Sequence, residues 1–328
     1  MKNAMTIDLE DWFCAYNLRI KTEDWDKQEL RVVANTRRIL DLLTKHNTQA
    51  TFFVLGWIAT RAPDLIREIE QRGHEIATHG YSHTVLTDMT PESFEADLTR
   101  ALDVTRECAK QEIIGFRAPS FTITNKTLWA IDILAKHGIA YDSSVFPIGF
   151  HPDYGIADAS LSIHPMGALT EVPMSVAEVF GRKIPCSGGG YFRVIPYAVT
   201  RFLMQQCNRQ GRPVIFYVHP WETDPGQPRV RLSLSKNFRH YFNLDKTMPR
   251  LDQLLRDFEF APIKEILPAN RRESSRICIG QRHGGHSDLV GAKHSPTKAR
   301  PIKALIGECF APTVSDMLLT NTHKSDSS

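Results

Sequence analysis

His79 and His83 stand four residues apart in Thr78-His79-Gly80-Tyr81-Ser82-His83. In a helical turn that spacing puts two imidazoles on one face, where they can bind one metal ion. The pattern alone fits two surface histidines on a polar loop equally well. A second cluster, Asp8-Leu9-Glu10-Asp11, places three carboxylates within four residues, followed by Trp12-Phe13. Such a group is costly to bury without a cation or a proton. Asp8, His79, Arg117, Asp142 and His219 each follow an apolar run. Five reactive side chains in one structural position point to a shared site.

The runs that must position them alternate with helical patterns. Ala4–Ile7 reads as a short strand, 28–46 as an amphipathic helix whose apolar stripe begins at Leu30, and Ala50–Gly56 as a strand buried on both faces. A helix over 63–72 starts at Pro63 and stops at Gly73, ahead of the histidine strand. Thr90-Pro91-Glu92 opens a helix running to about 110, with Thr90 as N-cap. Ile113–Phe116 leads to Arg117, a helix spans 125–137, and Ile139–Tyr141 delivers Asp142. In the loop-rich stretch 147–190, Leu169–Val176 is the one clear strand candidate. A helix over 196–210 and the strand Arg212–Val218 then lead to His219-Pro220-Trp221-Glu222. This βα spacing implies a parallel sheet or a barrel, in which chemistry collects at the C-terminal strand ends.

The chain has 328 residues, enough for one large α/β domain. Its net charge of +3 originates in the last sixty residues, which hold nine of the forty Lys/Arg and five of the thirty-seven Asp/Glu. The remainder is nearly neutral, which argues against nucleic-acid binding by the folded part. No run approaches the length of a transmembrane span. The N-terminus leads straight into a strand, and six cysteines are scattered without a Cys-x-x-Cys pair. Both features suggest a cytoplasmic protein with free thiols. Residues 1–268 are expected to form the domain. Residues 269–328, rich in Arg, Lys, Ser, Gly and Pro, read as a disordered or non-native tail.

With these stretches together, the sequence resembles the polysaccharide deacetylases of the NodB-homology type, carbohydrate esterase family 4, and within them the branch associated with exopolysaccharide and exosortase loci. The matching motifs are Thr6–Phe13, Thr78–His83, Gly115–Phe121, Tyr141–Ser144 and Phe216–Glu222, in the family's order. The resemblance implies a distorted (β/α) barrel with about seven strands and metal-assisted hydrolysis of N-acetyl groups on a glycan. His79 and His83 match its histidine ligands, Asp8 its catalytic base, and the metal is a divalent ion, zinc before other transition metals. The family's third ligand is an acidic residue just after the base, so Glu10 and Asp11 compete. Glu10 is favoured, because residues two apart in an extended segment point the same way; a turn at Leu9 would admit Asp11.

In the resulting mechanism His219 protonates the leaving amine and Arg117 pairs with Asp8, fixing its rotamer and keeping it ionised. Trp12, Tyr81, Phe121, Tyr191 and Trp221, with Pro119 and Asp142, are the candidates for contacting sugar. Two competing readings are an allantoinase-like amidohydrolase acting on a small C–N substrate and a catalytically silent glycan-binding protein.

Overall fold

Runs of apolar residues without polar alternation demand cover on both faces, and the strands built from them form the centre of a mostly parallel sheet. The structure, a computed structural model, describes residues 1–149, 151 and 154–268; the tail expected over 269–328 lies outside the described residues. The strands in chain order are β1 (Asn3–Leu9), β2 (Thr51–Val54), β3 (Glu75–Thr78), β4 (Gly115–Phe116), β5 (Tyr141–Asp142), β6 (His164–Met166), β7 (Leu169–Glu171), β8 (Val176–Val179), β9 (Arg182–Pro185), β10 (Ile215–Val218) and β11 (Phe260–Ala261). The helices are α1 (Val32–Lys45), α2 (Gly56–Arg61), α3 (Pro63–Gln71), α4 (Pro91–Arg106), α5 (Ala130–Lys136), α6 (Gly189–Val194), α7 (Tyr197–Arg209), α8 (Leu234–Tyr241), α9 (Thr247–Asp257) and α10 (Ile263–Ile266).

The main sheet runs β10-β1-β2-β3-β4-β5-β7-β6, with β11 against the start of β1. From β10 to β7 every neighbouring pair is parallel, and only β6 runs against its neighbour. Those seven parallel strands are the distorted barrel the motifs imply. Alternation sorts the side chains. Met5, Ile7, Phe52, Ile76 and Phe216 pack with the helices, whereas Ala4, Phe53, Ala77, Tyr141 and Tyr217 fill the other side of the sheet. Asp8 has the parity of Ala4 and so emerges on that inner side.

Between β7 and β10 the chain forms the antiparallel pair β8–β9 and the helices α6 and α7, and it is tied to β10 at two points. The Tyr217 N–H donates to Ser187 C=O at 2.7 Å, and the Ile215 N–H to Ser175 Oγ at 2.7 Å. Gly188 bridges Tyr217 at φ +127°, where an added Cβ would lie 2.0 Å from the Tyr217 carbonyl oxygen. Only glycine allows this approach.

Several boundaries differ from the pattern. The first helix starts at Val32 because the Asp11 carboxylate takes the N–H groups of Arg31 and Val32, which leaves Leu30 39% exposed, outside the apolar stripe. The strand expected over Leu169–Val176 is two strands, broken at Pro173, which has no N–H to give a ladder. Helix α5 begins at Ala130, after a turn tied by Thr127 Oγ to Thr122 C=O. Helix α4 keeps its expected cap: Thr90 and Ser93 form a reciprocal capping box after which Pro91 enters the first turn.

Candidate active site

β1 leaves the sheet in a tight turn, with the Glu10 N–H donating to Asp8 C=O at 2.9 Å. Glu10 Oε1 then lies 3.0 Å from His79 Nε2 and 2.9 Å from His83 Nε2. His79 follows β3 directly. The loop carrying His83 is held by Asp97 of α4, which accepts from the N–H groups of Tyr81 and Ser82 and from the Ser82 hydroxyl. His83 sits at φ +54°, a left-handed conformation uncommon for a residue with a Cβ.

The hydrogen bonds decide what this cluster can hold. His79 Nδ1 lies 2.8 Å from the Arg117 carbonyl oxygen. A carbonyl only accepts, so Nδ1 carries the proton, and the Nε2 of a neutral His79 turns its lone pair toward Glu10. Two electron-rich atoms at 3.0 Å need a positive charge between them. Ligand atoms of Glu10, His79 and His83, all buried, lie within 4.8 Å of one another, the one such group among the described residues. Two imidazoles and a carboxylate, with one imidazole fixed through its other nitrogen, are a donor set suited to a divalent ion such as zinc. Where protons rather than an ion supply that charge, burial favours protonation of Glu10, but the charges of His83 and His219 and hydrogen bonds from His79 and His83 hold it well below the usual carboxylate range.

Asp11 does not join them. Its Oδ1 accepts from the Trp12 N–H at 2.7 Å, and its Oδ2 from Arg31 and Val32 at 2.6 and 2.8 Å. The chain does turn at Leu9, yet Glu10 is the residue that reaches the histidines.

Asp8 Oδ1 accepts from Arg117 Nη1 at 2.6 Å. The Arg117 guanidinium is wholly buried and bound at every nitrogen: Nη1 also donates to Thr6 Oγ1, Nε to Ser143 C=O and Nη2 to Ser143 Oγ. Its carbon lies 4.1 Å above the Phe53 ring. Arg117 thus orients Asp8 with its side chain and His79 with its backbone. The other Asp8 oxygen is 3.8 Å from His219 Nε2, which is also 3.9 Å from Glu10 Oε1.

His219 Nδ1 lies 2.7 Å from Glu222 Oε1, and Glu222 Oε2 accepts from Arg193 Nε at 2.7 Å. The Glu222 carboxylate therefore fixes a proton on Nδ1 and aims Nε2 at Asp8 and Glu10. Burial disfavours a charged His219, but the carboxylates of Glu10, Glu222 and Asp8 outweigh it and raise its pKa to about 9. Glu222 itself is lowered to about 2, the charges of Arg193 and His219 overcoming burial.

A carboxylate held by an arginine, a candidate metal cluster and an oriented imidazole therefore share one strand-end cavity. Residues 24–141 match the family model described as polysaccharide deacetylase, and residues 143–268 match a domain of unknown function, DUF3473. Over residues 24–141 the chain is similar to the polysaccharide deacetylases. It is 41% identical over 101 residues to a chitooligosaccharide deacetylase of Rhizobium leguminosarum bv. trifolii, covering 31% of this chain and 44% of that protein. It is 27% identical over 143 residues to a peptidoglycan deacetylase of Helicobacter pylori, covering 44% of this chain and 48% of that protein. The chain spans less than half the length of these curated relatives. A solved structure from Mycobacterium smegmatis, titled as a candidate polysaccharide deacetylase, superposes with a TM-score of 0.53 at 20% identity. The match covers 88% of this chain and 96% of that one, and it shows the shared fold.

The cavity is lined by Asp8, Glu10, His79, His83 and His219, with Phe121 and Trp221 among its aromatic walls. Trp12, Tyr81, Pro119, Asp142 and Tyr191, the other expected sugar contacts, do not line it. Trp12 is buried and donates to Glu29 C=O, and the Tyr81 ring lies under the Arg100 guanidinium at 3.6 Å. Pro119 is buried between the lining residues Ala118 and Ser120. Asp142 accepts from Ser144 Oγ, which in turn accepts from the Ala118 N–H at 2.7 Å, so it shapes the loop after β4. Beside it Glu171 is pushed well above the carboxylate range by burial and by Asp142.

Tyr16, Asn17, Tyr154, Tyr217, Arg239 and His240 line the cavity without having been expected. Trp221 stacks between His219 and His240, with centroids 5.2 and 4.5 Å away. Glu222 lies in the last motif, and its spacing of three from His219 is the available signal. Arg239 and His240 carried none, because α8 reaches the cavity only through the fold. Among the described residues no helix is long and apolar enough to cross a membrane.

Proposed function

We propose that this chain is a metal-dependent hydrolase that removes N-acetyl groups from a polysaccharide or oligosaccharide. The observation that carries the reading is the His79 tautomer: with its Nδ1 proton given to Arg117 C=O, its Nε2 faces Glu10 and His83 as a ligand would. Glu10, His79 and His83 would hold the ion, which supplies Lewis acidity toward the acetamide carbonyl and water. Asp8 is the general base: its free oxygen faces the cavity while Arg117 holds the other. Arg117, grouped with the catalytic residues from the sequence, acts through Asp8 and is a positioning residue. His219 gives its Nε2 proton to the departing sugar amine, a poor leaving group that requires an acid. Glu222 keeps that proton on the correct side by holding Nδ1–H.

The relatives named for chitooligosaccharide and peptidoglycan support an N-acetylated glycan as substrate. The motif resemblance supports exopolysaccharide biosynthesis as the setting and zinc as the ion, and the scattered cysteines support a cytoplasmic location. Domain limits of 1–268 belong to the same proposal. The test is acetate release from a panel of N-acetylated oligosaccharides, with and without a chelator. Release that stops on chelation and returns with zinc is expected. Turnover of allantoin-like amides alone, or glycan binding with no release, would replace this reading with one of its two competitors.

A further inference from the structure

We propose that α8 and the turn leading into it form a docking surface for an anionic lipid membrane. Residues 225–244 hold four cations, Arg229, Arg231, Lys236 and Arg239, and no Asp or Glu. All four are exposed. No ion pair is formed by any of them among the described residues, although Arg229 lies over the Tyr241 ring at 4.8 Å. The same helix exposes apolar side chains. Leu234 is 89% exposed, and Phe238, one turn on and so on the same face, is 46% exposed. The Phe238 ring rests on Phe242 at 4.4 Å.

A cationic patch alone would suit any polyanion. The aliphatic Leu234 discriminates: it offers no ring face for a sugar, whereas inserting leucine and phenylalanine among acyl chains with Lys and Arg at the headgroups is how an interfacial helix binds. Helix α8 also sends Arg239 and His240 to the cavity wall, so docking brings the cavity beside the lipid surface. A glycan held at that surface would then be within reach, a consequence that rests on the deacetylase reading; the lipid binding does not.

The experiment is co-sedimentation of the purified full chain with phosphatidylcholine vesicles, with and without phosphatidylglycerol. Binding is expected only to the anionic vesicles and should fall with added salt. Leu234→Ser, and separately Arg231→Glu with Lys236→Glu, should each weaken it roughly tenfold or more while the melting temperature stays unchanged. Variants that sediment like the unaltered chain would move the binding to the basic residues beyond 268 and overturn the proposal. Equal binding to neutral vesicles, no vesicle binding, or retention by a soluble acidic polysaccharide in place of vesicles would overturn it as well. Because the fold control is melting rather than acetate release, failure here leaves the deacetylase reading standing, and the reverse also holds.

Discussion

Replacing Asp11 by Ala separates the two carboxylates that compete in the first motif. The Asp11 side chain accepts three backbone N–H groups, from Trp12 at 2.7 Å, Arg31 at 2.6 Å and Val32 at 2.8 Å, and the residue has no exposed surface. Two of those donors belong to the first turn of α1, so the residue ties the turn that carries Glu10 to a helix twenty residues on. Hydrogen bonds to a charged group contribute roughly 1.5–3 kcal/mol each, and an orphaned buried N–H costs a comparable amount. Part of this is offset because the variant no longer buries a carboxylate, whose pKa burial raises to about 6 against the pull of those same N–H groups. A net loss of about 3–5 kcal/mol is expected, which lowers the melting temperature by roughly 10 °C in a domain of this size. Metal stoichiometry, measured by atomic emission below the new melting point, should be unchanged. Glu10→Gln should do the opposite, with little change in stability and no retained metal. If Asp11→Ala melts like the unaltered chain but loses its metal, the assignment of the two residues is reversed.

Other tests probe separate parts of the argument. His240 is held to about 3 by burial and by the Arg193 charge, so the unfolded chain binds its proton more readily. Its stabilisation is present above the ordinary histidine range and is lost as pH falls, by about 2 kcal/mol between pH 7 and 5; urea midpoints should show this pH dependence flattened in His240→Gln. Gly188→Ala drives a Cβ into the Tyr217 carbonyl and should cost more than about 4 kcal/mol, seen as loss of soluble protein; a soluble variant of ordinary stability would refute the closure between β7 and β10. Asp8→Asn should keep metal bound and lower kcat/KM roughly 10²–10⁴-fold. In His219→Ala the ratio of amide to aryl-ester hydrolysis should collapse, since an activated ester leaves without a proton; equal losses on both substrates would remove His219 from the acid role.

The legible parts of this fold are those whose local pattern and tertiary role agree. Thr51–Val54 and Ile215–Val218 are buried on every residue, and their continuous apolar runs say so. Asp8, His79, Arg117 and His219 follow such runs and converge because parallel strands end on one edge. Elsewhere the determining contacts are remote in sequence. The start of α1 depends on a carboxylate twenty residues earlier, and Tyr81, midway in sequence between the two candidate ligand histidines, packs under Arg100. The segment after β7 pairs with β10 through Ser175 Oγ and Ser187 C=O, contacts that leave no periodicity to read. The choice between Glu10 and Asp11 is posed by the resemblance, and strand parity favours Glu10; in the structure Asp11 is taken up at the start of α1 and Glu10 is the one that reaches the histidines.

The two matched stretches, 24–141 and 143–268, meet inside one sheet. Strand β5 ends the first and pairs in parallel with β7 of the second, while β10 of the second pairs with β1, which precedes both. The site divides along the same line. Under the proposed mechanism Asp8, Glu10, His79, His83 and Arg117 are the base and ligand half. His219, Glu222, Arg193 and His240, the acid half and the wall behind it in that mechanism, all come from the stretch matched to the domain of unknown function. That stretch is therefore a structural part of the barrel, and it supplies the group on which amide cleavage depends under the proposed mechanism. A chain cut after Tyr141 would lose β10, leave one flank of β1 without its partner, and leave Glu10 and Asp8 facing no acid. Tyr154, Trp221, Arg239 and His240 of the same stretch also line the cavity without belonging to the cluster that would hold an ion, so variants at these four positions are where a change of substrate selectivity is expected.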